Sequence, residues 1–257
     1  MSTIAPINRS SRQTGCYLYA IVARADSGQL GLCGIDGSQV YAISDGHLAA
    51  VLSNMPNEKL RPERRRLAAH NDVHKQLLEC GTLLPMAFGI IADGTAAIER
   101  ILAINHEPFV EQLTQLDGTV EMGLRVCWDV PNIFAYFVTT HSELSLLRDQ
   151  VFLGGREPTK DDCIELGRLF DRSLTQERAV QTSKVLQTMN DYCVECKENK
   201  PRNESEVMNL ACLIRRDAQK EFEQGVFEVA KQFDNHYSFD FNGPWPAHNF
   251  VDIDLQM

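Results

Sequence analysis

The strictest alternation of apolar and polar residues lies near the C-terminal end of the chain. Tyr237, Phe239 and Phe241 alternate with polar residues, a period of two that predicts a half-buried strand with an aromatic inner face. The following stretch, residues 242–246 (NGPWP), is expected to end this strand, because its two prolines fix φ and remove backbone donors. Trp245 is therefore held on a short stiff segment, and Phe250 follows as a second apolar contact. We expect this tail to pack against the rest of the protein, because a free tail has no use for such rigidity.

The first half of the chain predicts a mixed α+β domain. Short apolar runs bounded by Asp-Gly turns predict strands at residues 17–22, 30–35, 40–44 and 48–52. An amphipathic pattern predicts a helix from Arg61 or Pro62 to Cys80, closed by Gly81. A continuous apolar run predicts a buried strand at residues 85–91. The helical pattern of residues 95–116 is interrupted by Pro108, which predicts two pieces or a kink.

The second half predicts a ferredoxin-like domain. Its expected elements are a strand at 120–126, a helical insertion at 130–153, a long helix after a Thr159–Asp162 capping box, strands at 192–197 and 207–214, a helix capped by Asp217, and the final strand. Without the insertion this order is β-α-β-β-α-β. With the boundary at Asp117-Gly118, the predicted domains are an N-terminal α+β domain, residues 1–117, and a ferredoxin-like domain, residues 118–257, with its docked tail.

Composition narrows the class of protein. Hydrophobic residues make up 44% of the 257 residues and charged residues 23%, as in globular proteins with ample core material. The net charge of −10 argues against binding to nucleic acid or anionic lipid, which needs a cationic surface. The polar residues 1–14 read as a flexible arm and not as a secretory signal. The eight cysteines are scattered singly, so we expect reduced thiols in the cytoplasm.

Three local patterns could carry chemistry. His70 and His74 lie one helical turn apart, the spacing of a zinc pair, which leaves open a metal-dependent enzyme; the other interpretation is that both are buried, neutral and hydrogen-bonded. Cys193 and Cys196 form a lone CxxC, but on the predicted strand their sulfurs would point to opposite faces, which favours unrelated thiols over a redox pair. The arginines at 61 and 64–66 could hold an anion, but a solvated helix face paired with glutamates is favoured.

No catalytic residue, cofactor or metal ligand is therefore expected. A further alternative stays open, namely a ligand-binding module built on the ferredoxin-like sheet. A basic or ligand-sized pocket on that sheet would support this alternative, and a sheet face covered by helices would count against it.

Three motifs carry a resemblance to a known family. The segments 17–22 (YLYAIV), 84–89 (LPMAFG) and 241–251 (FNGPWPAHNFV) are similar, in this order, to segments of gas vesicle proteins of the GvpL/GvpF type. The resemblance implies a non-enzymatic minor structural component or assembly factor of the gas vesicle shell, located at the shell inside the cytoplasm. It implies contact with the hydrophobic major shell protein and with other accessory proteins, while the acidic charge predicts no contact with nucleic acid or a lipid membrane. The candidate interaction or domain-docking residues are Phe241, Pro244, Trp245, Pro246 and Phe250.

Overall fold

The chain forms two compact units. The computed structural model describes residues 14–23 and 27–256; the predicted N-terminal arm, apart from Thr14, lies outside these residues. Unit 1 consists of the described residues up to Val120 together with those from Trp245 onward, and unit 2 is Glu121–Pro244. The mixed α+β class is confirmed. Within the described residues, no helix combines the length and the apolar character that a membrane crossing requires.

Unit 1 is built on an antiparallel sheet. Its strands are β1 (Thr14–Ala23), β2 (Gly28–Cys33), β3 (Gln39–Ser44), β4 (Leu48–Pro56), β5 (Leu83–Pro85) and β6 (Ile91–Ala92). The order is β2-β3-β4-β1-β5, with β6 also paired to β1. Residues 16–21 of β1 are all buried. This strand is therefore the centre of the core, as its uninterrupted apolar run predicts.

Three helices complete unit 1: α1 (Arg64–Cys80), α2 (Thr95–Ile104) and α3 (His106–Gln115). The buried face of α1 is formed by His70, Val73, His74, Leu77 and Leu78, the stripe that its amphipathic pattern predicts. The predicted interruption between α2 and α3 is confirmed, but it falls at Asn105. Pro108 lies in the first turn of α3, where its missing N–H costs no helical hydrogen bond.

The prediction of a continuous strand at residues 85–91 was wrong. The chain leaves the sheet after β5 and returns at β6. The Met86 N–H still donates to the Tyr19 carbonyl at 2.8 Å, but Gly89 adopts φ +97°, a conformation that strand residues do not take. Of this apolar run, only Pro85 and Met86 are buried, and the residues after them turn away from the sheet before β6.

Unit 2 contains a second sheet and four helices within the described residues. In chain order its elements are β7 (Thr119–Trp128), α4 (Ile133–Thr140), α5 (Ser142–Leu153), α6 (Lys160–Met189), β8 (Glu195–Asn199), β9 (Glu206–Arg215), α7 (Gln219–Ala230) and β10 (Tyr237–Trp245). The strand order is β10-β7-β9-β8. Helices α6 and α7 pack against β9 and against each other. The predicted helical insertion is present as α4 and α5.

In unit 2, predictions that depend on residues only a few positions apart in the sequence are confirmed. The Thr159–Asp162 capping box at α6 is confirmed in both directions. The alternation along β10 is confirmed, with Tyr237, Phe239 and Phe241 half-buried and the intervening residues exposed. Asp217 was wrongly predicted as a helix cap, because the N-cap residue of α7 is Ala218 and the Asp217 carboxylate pairs with Arg215 at 3.3 Å.

Two further boundaries differ from the predicted ones. β10 continues through residues 242–245, so the glycine and proline did not end it where expected. The residues from Trp245 onward group with unit 1, whereas the sequence assigned them to the second domain. The predicted folding boundary at residue 117 stays a prediction.

Candidate interaction surfaces

The C-terminal tail is packed against unit 1. Pro246, Ala247 and Phe250 are buried, and the Phe250 and Val251 N–H groups both donate to the Ala247 carbonyl, at 3.0 and 3.2 Å. The ring of Trp245 is half-buried. The tail therefore contributes a compact apolar turn to unit 1.

Hydrogen bonds hold the tail beyond this turn. Asn105, buried between α2 and α3, donates from Nδ2 to the Gln256 carbonyl at 2.8 Å and accepts from the Gln256 N–H at 3.1 Å. The Asp252 N–H donates to the Gln112 side chain at 3.0 Å. A buried amide side chain needs hydrogen-bond partners. The backbone of Gln256 supplies them to Asn105, and Asn105 in turn fixes this end of the tail.

The five residues singled out in the sequence do not form one group. Phe241 and Pro244 belong to unit 2, and Trp245, Pro246 and Phe250 to unit 1. The Phe241 ring packs edge-on against Phe222 of α7, with centroids 6.1 Å apart. The Lys75 ammonium lies 5.0 Å from the Trp245 ring centroid, a cation–π distance. Each of the three aromatic candidates thus has an intramolecular role.

His70 and His74 lie at the centre of a buried aromatic cluster. Their ring centroids are 4.2 Å apart. The Tyr17 hydroxyl is hydrogen-bonded to His70 Nδ1 at 2.9 Å, and His74 Nε2 donates to the Tyr19 carbonyl at 2.7 Å. The His248 ring of the tail lies 5.1 Å from His74. These contacts match the interpretation of buried, hydrogen-bonded histidines.

Burial sets the charge state of both histidines. It lowers the pKa of His70 to about 4 and that of His74 to about 3, because an imidazolium loses its hydration there. A protein zinc site uses at least three protein ligands. Among the described residues, the only group of three or more side chains placed for such a site is elsewhere, at the cysteines of unit 2. The geometry therefore gives the metal-dependent enzyme no support.

The basic run at the start of α1 is paired with carboxylates. Arg66 contacts Asp36 at 2.9 Å and Glu63 at 3.4 Å, and Arg65 contacts Glu63 at 3.0 Å. These two arginines form the solvated, paired face that the sequence favoured.

The arginine of α6 that lies against the second sheet is half-buried and hydrogen-bonded to the backbone. Arg178 of α6 donates to the backbone carbonyls of Glu206 at 3.0 Å and Asn203 at 2.8 Å. Its guanidinium therefore anchors the loop before β9 and is not presented to a phosphate. Together with the covering helices α6 and α7, this weighs against a nucleic-acid-binding sheet.

The prediction that the CxxC sulfurs diverge was wrong. β8 begins only at Glu195, so Cys193 lies in the turn before the strand and the strand geometry does not apply to it. The Sγ atoms of Cys193, Cys196 and Cys212 all lie within 4.8 Å of one another.

An exposed apolar stripe lies on α5. Leu146 and Leu153 are exposed at 63% and 76%, and Phe152 at 53%. Leu146 and Leu153 are seven residues apart and so share one face of the helix, whereas Leu144 and Val151 are buried on another face. We call Leu146, Phe152 and Leu153 the α5 stripe. Side chains of this size at such exposure favour a protein contact.

The sequence contained a signal for this stripe. The helical insertion has apolar residues on more than one face, whereas a surface helix needs only one apolar face to pack against its own core. The pattern could not tell which face would be covered.

Comparisons with known proteins agree over nearly the whole chain. The model of the family described as "Gas vesicle synthesis protein GvpL/GvpF" matches residues 15–252. The chain is 25% identical to gas vesicle protein F of Dolichospermum flosaquae, covering 93% of this chain and 98% of the relative. It is 26% identical to gas vesicle protein F of Streptomyces sp. (strain CB03234), covering 92% and 99%. The crystal structure of gas vesicle protein GvpF from Anabaena sp. PCC7120 superposes with a TM-score of 0.77 at 25% identity, covering 94% of this chain and 99% of that one.

Proposed function

Because the chain belongs to the GvpL/GvpF family of gas vesicle synthesis proteins, we propose that it is a non-enzymatic structural component or assembly factor of the gas vesicle shell. The proposal rests on the family match, which covers residues 15–252 and so includes residues of both units. In this function the protein binds the hydrophobic major shell protein and other accessory proteins, and it is located at the shell within the cytoplasm.

The α5 stripe is the surface that we assign to the apolar partner. A small hydrophobic shell protein needs an apolar counterpart, and aromatic or aliphatic anchors supply most of the binding energy of such contacts. Phe152 and Leu153 protrude at the end of α5, immediately before Gly154-Gly155. The acidic net charge of −10 favours protein partners over nucleic acid or anionic lipid.

Two finer assignments follow from the fold. We infer that unit 2 is ferredoxin-like with a helical insertion, which the strand order β10-β7-β9-β8 and the helices on β9 support. We assign Trp245, Pro246 and Phe250 to docking of the tail within unit 1, and Phe241 to packing against Phe222 within unit 2. Pro244, which is exposed, is the candidate that remains available to a partner.

Fractionation of gas vesicles tests the proposal directly. Intact vesicles are isolated from the host, washed in steps up to concentrated urea, and probed for this chain. Retention through washes that remove loosely bound proteins supports a structural component. Recovery in the soluble fraction, together with capture by the shell protein, supports an assembly factor. If the chain neither fractionates with vesicles nor binds the shell protein, the proposal is refuted.

A matched pair of variants tests the α5 stripe. Phe152→Ser removes an aromatic side chain that is 53% exposed on α5, and Phe227→Ser removes one that is 56% exposed on α7. Loss of an anchor costs about 1–2 kcal/mol, or roughly tenfold in affinity. We therefore expect Phe152→Ser to weaken capture of the shell protein roughly tenfold and Phe227→Ser to leave it unchanged. Equal effects would exclude the α5 stripe as the specific contact.

A further inference from the structure

Three cysteine sulfurs converge at the edge of the second sheet. Cys196 and Cys212 are directly paired residues of β8 and β9, and their Sγ atoms are 3.7 Å apart. Cys193 adds a third Sγ, and all three lie within 4.8 Å of one another. Cys212 is buried, whereas Cys193 and Cys196 are half-buried, so the cluster is accessible from one side.

The backbone around Cys193 is fixed by hydrogen bonds on both sides. The Tyr192 N–H donates to the Met189 carbonyl at 2.9 Å, and the Val194 N–H donates to the Leu213 carbonyl of β9 at 2.8 Å. The second bond ties the residue after Cys193 to the strand that carries Cys212. The backbone position of the third thiol is therefore fixed by the fold next to the strand that carries Cys212.

The side chain next to Cys193 adds a further anchor. The Tyr192 hydroxyl donates to Glu228 of α7 at 2.8 Å, and its ring packs so closely on Gly225 that a Cβ there would lie 2.6 Å from ring atoms. Such support from surrounding residues is what holds metal ligands in position.

We propose that Cys193, Cys196 and Cys212 form a binding site for one thiophilic metal ion, with zinc as the reference ion. Thiolates select zinc and other soft metals, and CxxC is a ligand spacing of zinc sites. With Zn–S bonds of about 2.3 Å, tetrahedral coordination separates the sulfurs by about 3.8 Å. The observed separations need to contract by at most about 1 Å. The accessible side leaves the fourth position to water or to a partner's ligand.

The hydrogen bonds within the cluster favour a thiolate at its centre. Contacts from the Cys193 and Cys212 thiols lower the pKa of Cys196 below its ordinary value, and the same contacts raise the pKa values of Cys193 and Cys212. Metal ligation requires all three sulfurs as thiolates. Binding one zinc ion therefore releases to the solvent the protons that the three thiols still carry.

Metal titration tests the proposal on the full-length chain. Protein that has been reduced and freed of metal is titrated with Co²⁺, whose thiolate charge-transfer bands report sulfur ligation, and the Co²⁺ is then displaced with Zn²⁺. We expect one ion per chain and its displacement by Zn²⁺. Absence of charge-transfer bands in the reduced protein would overturn the proposal.

Single variants locate the site. Cys193→Ser and Cys196→Ser are expected to weaken binding by at least about 100-fold, since loss of even an outer-shell partner costs 10–100-fold. Cys163→Ser, an exposed cysteine of α6, is the matched control and is expected to bind as the parent chain does. Because Cys212 is buried, circular dichroism must first show that the Cys212→Ser variant folds. If that variant does not fold, the result for Cys193→Ser, which lies in the turn before β8, decides whether the site exists. Unchanged binding in Cys193→Ser, or lost binding in Cys163→Ser, would refute the assignment.

Discussion

The buried histidine pair makes the stability of unit 1 depend on pH. Burial lowers the pKa of His70 to about 4 and that of His74 to about 3, against about 6.5 in the unfolded chain. Between these values the unfolded chain binds more protons than the folded one. The free energy of unfolding therefore falls as the pH drops from about 6.5 toward about 4.

The magnitude follows from the difference in pKa. At pH 5 an unfolded histidine is almost fully protonated, whereas His70 and His74 stay neutral in the fold. Each unit of pKa is worth 1.36 kcal/mol, so each histidine lowers the free energy of unfolding at pH 5 by about 2 kcal/mol relative to pH 8. If the two act independently, the pair lowers it by about 4 kcal/mol.

Substitutions that keep the hydrogen bonds but cannot titrate isolate this effect. Asn at 70 can accept from Tyr17, and Gln at 74 can donate to the Tyr19 carbonyl, as the present nitrogens do. In a Trp128→Phe background, Trp245 reports on unit 1 during urea denaturation at pH 8 and pH 5. We expect His70→Asn and His74→Gln each to reduce the stability difference between the two pH values by about 2 kcal/mol.

The control is His47→Gln, which alters an exposed histidine of the same unit. It is expected to leave the difference in the free energy of unfolding between pH 8 and pH 5 nearly unchanged. Carboxylates that titrate in this range contribute equally to every variant, so they cancel. If the double variant His70→Asn/His74→Gln keeps the pH dependence of the parent chain, the histidines are not held neutral by burial and the reasoning fails.

Three further substitutions test contacts that hold the fold. Thr159→Ala removes the cap of α6 and is expected to lower the stability of unit 2 by about 1 kcal/mol in urea denaturation; an unchanged midpoint would contradict the role of the cap. Asn105→Ala removes both hydrogen bonds to Gln256, so amide exchange at the tail should accelerate at least about tenfold, and exchange at the parent rate would show that the tail is held by other contacts. Gly225→Ala places a Cβ 2.6 Å from the Tyr192 ring and is expected to cost about 1–3 kcal/mol; stability equal to that of the parent chain would show that the ring can move away.

The elements that could be predicted from the sequence are those whose signals are local. The capping box of α6 joins Thr159 to a residue three positions away, and the alternation of β10 is complete within a few residues. The start of β8 could not be predicted, because it depends on pairing with β9, as the Val194–Leu213 hydrogen bond shows. The strand was predicted to begin at residue 192, but β8 begins at Glu195. On the longer predicted strand the side chains of Cys193 and Cys196 would point to opposite faces, so their convergence was not predicted.

The packing of the tail within unit 1 could not be predicted for the same reason. Its stiffness is visible in the two prolines, but its binding site on unit 1 is formed by residues more than a hundred positions away, such as Asn105. The α5 stripe could be predicted only in part. The sequence predicts the helix and its apolar residues, but exposure depends on what the rest of the chain covers.

The three motifs that carry the family resemblance meet in one place. β1 contributes Tyr17 and Tyr19, whose oxygens accept from the N–H groups of Gly89 and Met86 in the second motif, at 3.1 and 2.8 Å. The third motif brings the His248 ring to 5.1 Å from His74, which itself donates to Tyr19. The first two motifs and the part of the third from Trp245 onward therefore pack within unit 1, and their common order along the chain identifies a fold. A contact surface must be sought where large apolar side chains stay exposed, which is why the α5 stripe, and not the aromatic tail, is our first choice for the shell protein.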